Sequence, residues 1–263
     1  MVKHPKLSVV LITRNAGQTL DAALRSVKFA GEIVVLDSGS EDRTIEISRH
    51  HGARVFTDKR PPGGFGPARN LALSKARGQW IFFLDGDEVV TAGLRNEILH
   101  ATNEGSSPEA FDMPRRNFYF GRWVRFGGRY PDRQRRLFRA GRAHYTGDLH
   151  ERMVVDGRIG RFKSAIDHHP YQDSEEYFRK LGFYGHEQAK LLRKKGIKPG
   201  LWTGTRLLLL LPSSRFIRRF IFKGGFLDGS AGFLACLHDA LTYIFSYASL
   251  NSVTSLRQSK NRR

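Results

Sequence analysis

The sequence predicts an α/β protein: a mostly parallel sheet flanked by helices, followed by a helical, partly amphipathic appendage. Three observations predict it. Short apolar runs alternate with helical patterns over the first hundred residues. Three of those runs end in polar clusters: Thr13-Arg14-Asn15, Asp37-Ser38 and Asp85-Gly86-Asp87. After about residue 110 the alternation gives way to short strand-like pieces, and from Asp173 onward to helical spacing. Strands and helices alternating at this spacing make parallel βαβ units, and ligands of such sheets bind beyond the carboxyl ends of the strands.

The elements follow in order. Leu7 to Ile12 is a short β-rich apolar run and reads as a buried strand. Thr19 to Phe29 carries Leu20, Leu24 and Val27 at helical spacing. Ile33 to Leu36 is the second strand. Ser40 is expected to cap the next helix, with Glu41 and Asp42 in its first turn, where the helix dipole favours acids. That helix ends near Gly52, and Ala53 to Phe56 is a third strand. A loop rich in Gly and Pro runs from Arg60 to Gly66. Pro67 suits the first position of a helix that ends at Gly78. Gln79 to Leu84 is the fourth strand, leading straight into Asp85. Asn117 to Phe120, Arg135 to Phe138 and Met153 to Val155 read as short strands, and Asp156-Gly157 as a hairpin turn. Asp173-Ser174-Glu175-Glu176 resembles a capping box, and Tyr177, Leu181, Tyr184 and Leu191 form an apolar stripe behind it. There is no internal repeat.

Charge is the unusual feature of the composition. The 263 residues hold 44 Lys and Arg against 25 Asp and Glu, a net +19. A surface of that sign attracts nucleic acid, an anionic membrane face or phosphorylated substrates. Nineteen Phe accompany the arginines, a mixture that suits anionic lipid at least as well as DNA. Cys236 is the sole cysteine, so there is no intramolecular disulfide and no Cys-based zinc site, and a reducing compartment is the default. The first residues lack the apolar stretch of a signal peptide. No run reaches the ~18 apolar residues of a spanning helix. Phe226 to Leu250 is long and apolar but carries Asp228, His238 and Asp239, and is expected to be interfacial or partly buried. Leu207 to Phe222 interleaves Arg215, Arg218 and Arg219 with bulky apolar residues, as the headgroup region of an anionic leaflet favours.

Two carboxylates one residue apart at a strand end can hold a hard divalent cation and a sugar hydroxyl together. Mg²⁺ or Mn²⁺ takes oxygen ligands, few of them from protein, and phosphate fills the rest. Such a metal neutralises a leaving diphosphate. Asp and Gly are also common in plain turns; what sets Asp85-Gly86-Asp87 apart is its place after the fourth strand, beside two other polar strand ends. Asp37 sits one position past its strand, where an acceptor can hold a base or ribose. The loop Gly63-Gly64-Phe65-Gly66-Pro67-Ala68-Arg69-Asn70 is a poor dinucleotide fingerprint, since it follows the third strand and lacks the full glycine spacing. Its helix start can still attract phosphate, helped by Arg69.

Four motifs in order carry a resemblance: residues 7–15, residues 33–42 with Asp37-Ser38-Gly39-Ser40, Ala68-Arg69-Asn70, and residues 80–88 ending in Asp85-Gly86-Asp87-Glu88. Together they resemble family 2 glycosyltransferases of the GT-A fold. Pro131 to Arg139, Leu149-His150-Glu151, His168 and Phe226-Leu227-Asp228-Gly229 are similar, more narrowly, to bacterial lipopolysaccharide core glucosyltransferases. The resemblance implies a GT-A catalytic domain over 1–170, with a nucleotide-sugar half (1–110) and an acceptor half (111–170). A helical membrane-associating region (171–250) and a basic tail (251–263) would follow.

The resemblance also implies roles. Thr13, Arg14 and Asn15 would line the nucleotide pocket; Asp37, with Ser38, would meet the uracil or ribose. Arg69 would lie near the diphosphate. Asp85 would face the ribose and metal across Gly86, and Asp87 would be the direct ligand of Mg²⁺ or Mn²⁺. Displacement at the anomeric carbon needs a carboxylate base near the acceptor hydroxyl. The resemblance favours Glu151, while spacing alone leaves Asp148 open. His168 is the best-placed histidine for a metal contact; His150 is a candidate for phosphate. Arg133 and Arg136 are candidates for diphosphate or an anionic acceptor, because guanidinium pairs bidentately with phosphate. The function implied is inverting, metal-dependent transfer of a hexose, glucose from UDP-glucose, to a lipid-linked lipopolysaccharide core acceptor. It would take place at the cytoplasmic face of the inner membrane, with an anionic membrane surface as partner and no specific nucleic acid. A sugar-phosphate nucleotidyltransferase would carry a Gly-rich, basic first βα turn, unlike Thr13-Arg14-Asn15-Ala16-Gly17. A non-catalytic nucleic-acid binder would carry a reader module, and none is found.

Overall fold

The computed structural model describes residues 4–58, 65–104, 108–146 and 152–260. The chain runs β1 (His4–Thr13), α1 (Leu20–Ser26), β2 (Ala30–Asp37), α2 (Thr44–His50), β3 (Arg54–Thr57), α3 (Phe65–Leu73), β4 (Trp80–Phe83), β5 (Glu88–Val90), α4 (Ala92–Asn103) and β6 (Ala110–Tyr119). It continues with β7 (Arg122–Val124), β8 (Asp132–Arg139), β9 (Ala143–Thr146), β10 (Arg152–Val155), β11 (Ile159–Arg161), β12 (Ile166–Tyr171) and α5 (Ser174–Lys194). The last helices are α6 (Leu201–Thr205), α7 (Leu211–Ile217) and α8 (Gly229–Lys260). Two compact units result: Met1–Arg116 with Pro131–His169, and Asn117–Tyr130 with Pro170–Arg263.

In the first unit β3, β2, β1 and β4 lie side by side and all parallel, and β8 then joins β4 antiparallel. Beyond it β6 pairs antiparallel with β8, and β12 pairs antiparallel with β5. The central strand explains the layering. Leu7, Val9 and Leu11 of β1 face one core, with Leu20 and Leu24 of α1 and Leu94 and Ile98 of α4. Val10 faces the other, with Val34, Phe83 and Ala72 of α3. Both faces of β1 are dry, so its sequence is a continuous apolar run rather than an alternation. Each such side chain contributes about 1.5–3 kcal/mol on burial.

In the second unit β7 folds back on the end of β6, pairing Asn117 with Val124 and Tyr119 with Arg122. Asp173 caps α5, accepting from the Glu176 amide at 2.7 Å, while the Glu176 carboxylate accepts from the Gln172 amide at 3.0 Å. α5 packs along α8. The approach is close because residue 185 is glycine: a Cβ there would stand 2.5 Å from Phe245 Cβ. The buried stripe on α5 is therefore Tyr177, Leu181, Gly185 and Ala189, whereas Tyr184 is exposed. Residues 201–222 stay helical but widen to π-type turns at Arg206–Leu210 and Arg218–Phe222. Pro212 lacks an N–H to bond back into the preceding turn, and widening accommodates that loss. Residues 225–252 are long and apolar enough to cross a membrane by length and composition alone, although no sequence run reached that length. The backbone of 251–260 is helical where the sequence reads as a tail.

Three local expectations are corrected. Ser40 does not cap α2: the helix begins at Thr44, and Ser40 turns its hydroxyl to Asp37. Asp42 takes the capping contacts, accepting from the Thr44 amide at 3.0 Å. Asp156-Gly157 does not close a hairpin. β10 pairs with β9, which precedes it, and β11 pairs parallel with β6. The helix expected from Pro67 begins two residues earlier, at Phe65.

Candidate active site

The parallel strands deliver their polar ends to one edge of the first unit. Thr13 closes β1 and Asp37 closes β2, paired in register. Asp37 is fully buried, and its two oxygens collect four donors: the Gly39 and Ser40 amides, the Ser40 hydroxyl and the Thr13 hydroxyl, at 3.0, 2.8, 2.5 and 3.2 Å. Its contacts pin the ends of β1 and β2 together. Ser38 donates its amide to the Thr13 carbonyl at 2.8 Å. Asn15 holds the left-handed conformation (φ 51°), which Asn tolerates better than most residues. Its carboxamide accepts from the Glu41 amide and its own amide donates to Ser40, both at 2.8 Å. Thr13 is thus buried in this weave, while Arg14 and Asn15 are exposed.

Asp85 follows β4 directly. Its neighbour Gly86 lies against the end of β1, where a Cβ would meet Ala16 Cβ at 3.3 Å and Thr13 Cγ2 at 3.8 Å. The acidic turn and the Thr13 loop are therefore one surface. Asp85 is held from two sides. Arg136 donates to it, and Arg69 stands 3.7 Å from its other oxygen. Burial pushes the Asp85 carboxyl up, but Arg136 and Arg69 outweigh that, and it lies below the usual carboxylate range. Asp87 points elsewhere. Its carboxylate is 3.6 Å from His168 Nε2, and its carbonyl accepts from the His169 amide at 2.8 Å. Burial lowers the His169 imidazole from its ordinary value.

Behind Asp85 lies an ion network. Arg136, 3% exposed, donates to Asp85 and, at 2.7 Å, to the fully buried Glu88. Arg115 reaches Glu88 at 3.3 Å and Asp132 at 2.7 Å. Burial disfavours the Arg136 charge, yet Asp85 and Glu88 raise it above the ordinary guanidinium range. Glu88 also accepts from the Asp85 amide at 3.1 Å, fixing the turn that carries both aspartates. Arg136 gets there through a register shift: β8 residues 135 and 137 oppose β6 residues 112 and 111, so 136 is the extra residue of a bulge. Bulges re-aim side chains in this way. Arg69, Asp85, Arg115, Gln134, Arg135, Arg136, Tyr145 and Met153 line a cavity of about 240 Å³. Arg69 stacks 4.5 Å from the Phe83 ring and 5.0 Å from that of Tyr145. Asn70 exchanges two hydrogen bonds with the Tyr145 backbone, at 2.8 and 2.9 Å, and so anchors β9 at the site.

The structure therefore brings Thr13, Asn15, Asp37, Ser38, Gly86 and Asp85 to one edge, with Arg69 and Arg136 on Asp85 and His168 on Asp87. Arg133 is placed apart from that cavity: exposed, it donates to the Phe162 carbonyl at 3.4 Å. Asp148, His150 and Glu151 lie outside the described residues. Among the described residues no three His, Cys, Asp or Glu converge as a ready-made metal cage. Glu88, Arg115, Asp132 and Tyr145 were missed. Glu88 had a signal, being the last residue of the fourth motif; Arg115 was one of 44 basic residues and had none.

Four parallel strands with an acidic turn at the end of the fourth agree with the GT-A fold that the motifs implied. The model of glycosyl transferase family 2 matches residues 8–225, and the chain belongs to that family. It is 26% identical to an uncharacterized glycosyltransferase of Rickettsia bellii over 96% of this chain and 86% of that one. It is 24% identical to the lipopolysaccharide core biosynthesis glycosyltransferase LpsC of Rhizobium meliloti, over 99% of this chain and 97% of that one. Among solved structures, S. aureus TarS 1-349 in complex with UDP aligns with a TM-score of 0.47 at 15% identity, covering 95% of this chain and 91% of that one. Glucosyl-3-phosphoglycerate synthase of Mycobacterium tuberculosis with phosphoglyceric acid aligns with a TM-score of 0.37 at 25% identity, covering 42% of this chain and 44% of that one. Family membership sets aside the nucleotidyltransferase and the non-catalytic nucleic-acid binder.

Proposed function

We propose that this glycosyltransferase is inverting and metal-dependent, and moves a hexose, glucose from UDP-glucose, onto a bacterial glycolipid of the lipopolysaccharide core. The observation that carries the donor side is the split between the two aspartates. Asp85 is turned to Arg69 and Arg136, whereas Asp87 presents its carboxylate beside His168 at 3.6 Å. The Asp87 carboxylate is the hard oxygen ligand that Mn²⁺ or Mg²⁺ takes, few such ligands being needed from protein, and His168 stands beside it. Asp87 would hold it with His168 alongside, and Asp85, expected as a second ligand, would have to leave Arg136 or Arg69 to join them. When bound, the ion supplies charge neutralisation of the leaving diphosphate.

The chain's own residues do the rest. Thr13, Arg14 and Asn15 border the nucleotide; Asp37, expected to meet the uracil or ribose, is instead fully buried with its oxygens taken by Gly39, Ser40 and Thr13, and with Ser38 it holds the floor beneath them. Arg69 meets the diphosphate beside Asp85. The acceptor hydroxyl oxygen bonds to the anomeric carbon as the bond to the β-phosphate breaks, and its proton passes to a carboxylate. Glu151 is that base, with Asp148 the other candidate. Arg133 and His150 belong to the acceptor side, and Arg136 acts through Asp85. Alignment with LpsC along nearly the whole chain supports the lipopolysaccharide acceptor, and the basic, apolar helices support work at the cytoplasmic face of an anionic inner membrane.

A thermal-shift panel of nucleotide-sugars with and without Mn²⁺ tests the donor side. UDP-glucose should stabilise the protein in a Mn²⁺-dependent manner, and no metal-dependent shift with any donor would sink the reading. Asp87→Ala should remove that shift and lower turnover roughly 10²–10³-fold with the fold intact. Glu151→Gln should abolish transfer while UDP-glucose still binds, and Asp148→Asn should not. The reverse outcome would move the base to Asp148.

A further inference from the structure

Between residues 201 and 227 the chain holds five Lys or Arg and no Asp or Glu. The same stretch leaves Leu201, Trp202, Leu209, Leu210, Ile221 and Phe222 exposed, Trp202 at 71% and Phe222 at 80%. An apolar surface of this extent is costly in water and marks an interaction site. Leu208 and Ile217 also stand exposed, and both line a groove of about 400 Å³ floored by Pro212, Phe216, Leu237 and Leu241. The exposed ridge and the groove are thus continuous within the second unit. Arg206 and Arg218 are exposed on the same helical stretch, and Arg215 is half-buried beside the groove-lining Phe216.

We propose that this stretch and its groove form a binding site for an anionic phospholipid. Arg215 and Arg218, next to the groove-lining Phe216 and Ile217, take the headgroup phosphate, the groove takes an acyl chain, and the ridge enters the leaflet beside it. Charge selects the occupant. Arg219 is already paired with Asp239 at 2.9 Å, and a second copy of this chain would set the remaining cations against their like, whereas an anionic leaflet neutralises them and receives the apolar ridge together. The site deepens the membrane part of the proposed function and rests on it for its purpose, but not for its test.

Trp202 is the reporter. Phosphatidylglycerol vesicles should shift its emission to the blue, vesicles brominated in the acyl chain should quench it, and phosphatidylcholine vesicles should do neither. Trp202→Phe should remove the response. Leu209→Glu combined with Phe222→Glu should weaken vesicle binding at least tenfold, with thermal unfolding unchanged. Leu241→Trp, which fills the groove, should weaken it severalfold. Equal binding to both vesicles, or unchanged binding in the double variant, would overturn the proposal. So would the same double variant turning a dimer into a monomer without loss of vesicle binding, which would make the face a subunit interface. Wild-type binding by Leu241→Trp would remove the acyl-chain groove. Mn²⁺-dependent stabilisation by UDP-glucose is read on the same samples. Its presence without vesicle binding overturns this inference alone, and its absence with vesicle binding overturns the donor reading alone.

Discussion

The two units put opposite kinds of side chain in costly places. The first buries charge: Asp37, Glu88 and Arg136 are all under 4% exposed, and each meets a partner of matching chemistry. The second leaves apolar surface outside. Of the twenty large hydrophobic side chains that stand exposed among the described residues, only Val154 and Ile159 belong to the first unit. A buried ion pair holds geometry more than it stabilises, because desolvation offsets most of the attraction. An exposed apolar ridge stabilises nothing in water. The first unit therefore fixes a site, and the second carries the exposed apolar surface on which the proposed lipid contact rests. Burial in the second unit is of both kinds: Tyr171, Tyr177 and Tyr184 surround His238, and Asp239 next to it pairs with Arg129 and Arg219, each at 2.9 Å.

That contrast can be broken at its strongest point first. Arg136→Ala leaves Glu88 buried with one partner fewer and should cost about 3–5 kcal/mol of stability, measured by urea unfolding. Arg133→Ala, on the exposed side of the same strand, should stay within about 0.5 kcal/mol. Equal effects would mean the network is not what fixes the site. The second unit's counterpart is His238, whose imidazole burial holds down to about 4. Unfolded, the ring takes its proton near its ordinary 6.5; folded, it stays neutral until about pH 4. Its contribution is therefore complete above about pH 6.5 and is lost as pH falls toward 4, a change on the order of 3 kcal/mol. His238→Gln should flatten that part of the stability–pH curve. The smallest of the three losses sharpens the site itself: Asn70→Ala removes the pair of bonds to the Tyr145 backbone and should cost about 1–3 kcal/mol. Turnover should fall with it as Tyr145 loosens from Arg69, and unchanged turnover would exclude Tyr145 from the working site.

Much of the first unit was legible because local pattern and global fold agree there. β1, β2 and β4 are apolar runs that can only be buried strands, and the polar residues after them can only sit at strand ends. The Ser40 cap failed because Asp37, nearer the sheet, competed for the same hydroxyl and won. The hairpin at Asp156-Gly157 failed because a turn dipeptide reports a bend and not which strand follows. Arg136 was legible as a functional candidate but not as a buried one. Its burial depends on a bulge against Phe111 and Asp112 of β6, a strand separated from β8 in the chain by β7.

The sequence alone determined the family, the parallel sheet and the place of Asp85-Gly86-Asp87, because each depends on short-range pattern and on motifs read in order. Tertiary structure alone decided what each carboxylate of that triplet touches. Asp85 became the partner of Arg69 and Arg136, and Asp87 the neighbour of His168, because strands far apart in the chain converge there and Glu88 locks the turn between them. It also decided that most apolar residues of 201–227 face outward while Leu207 and Pro212 turn in. Composition counts hydrophobic side chains; only packing says which of them find a core.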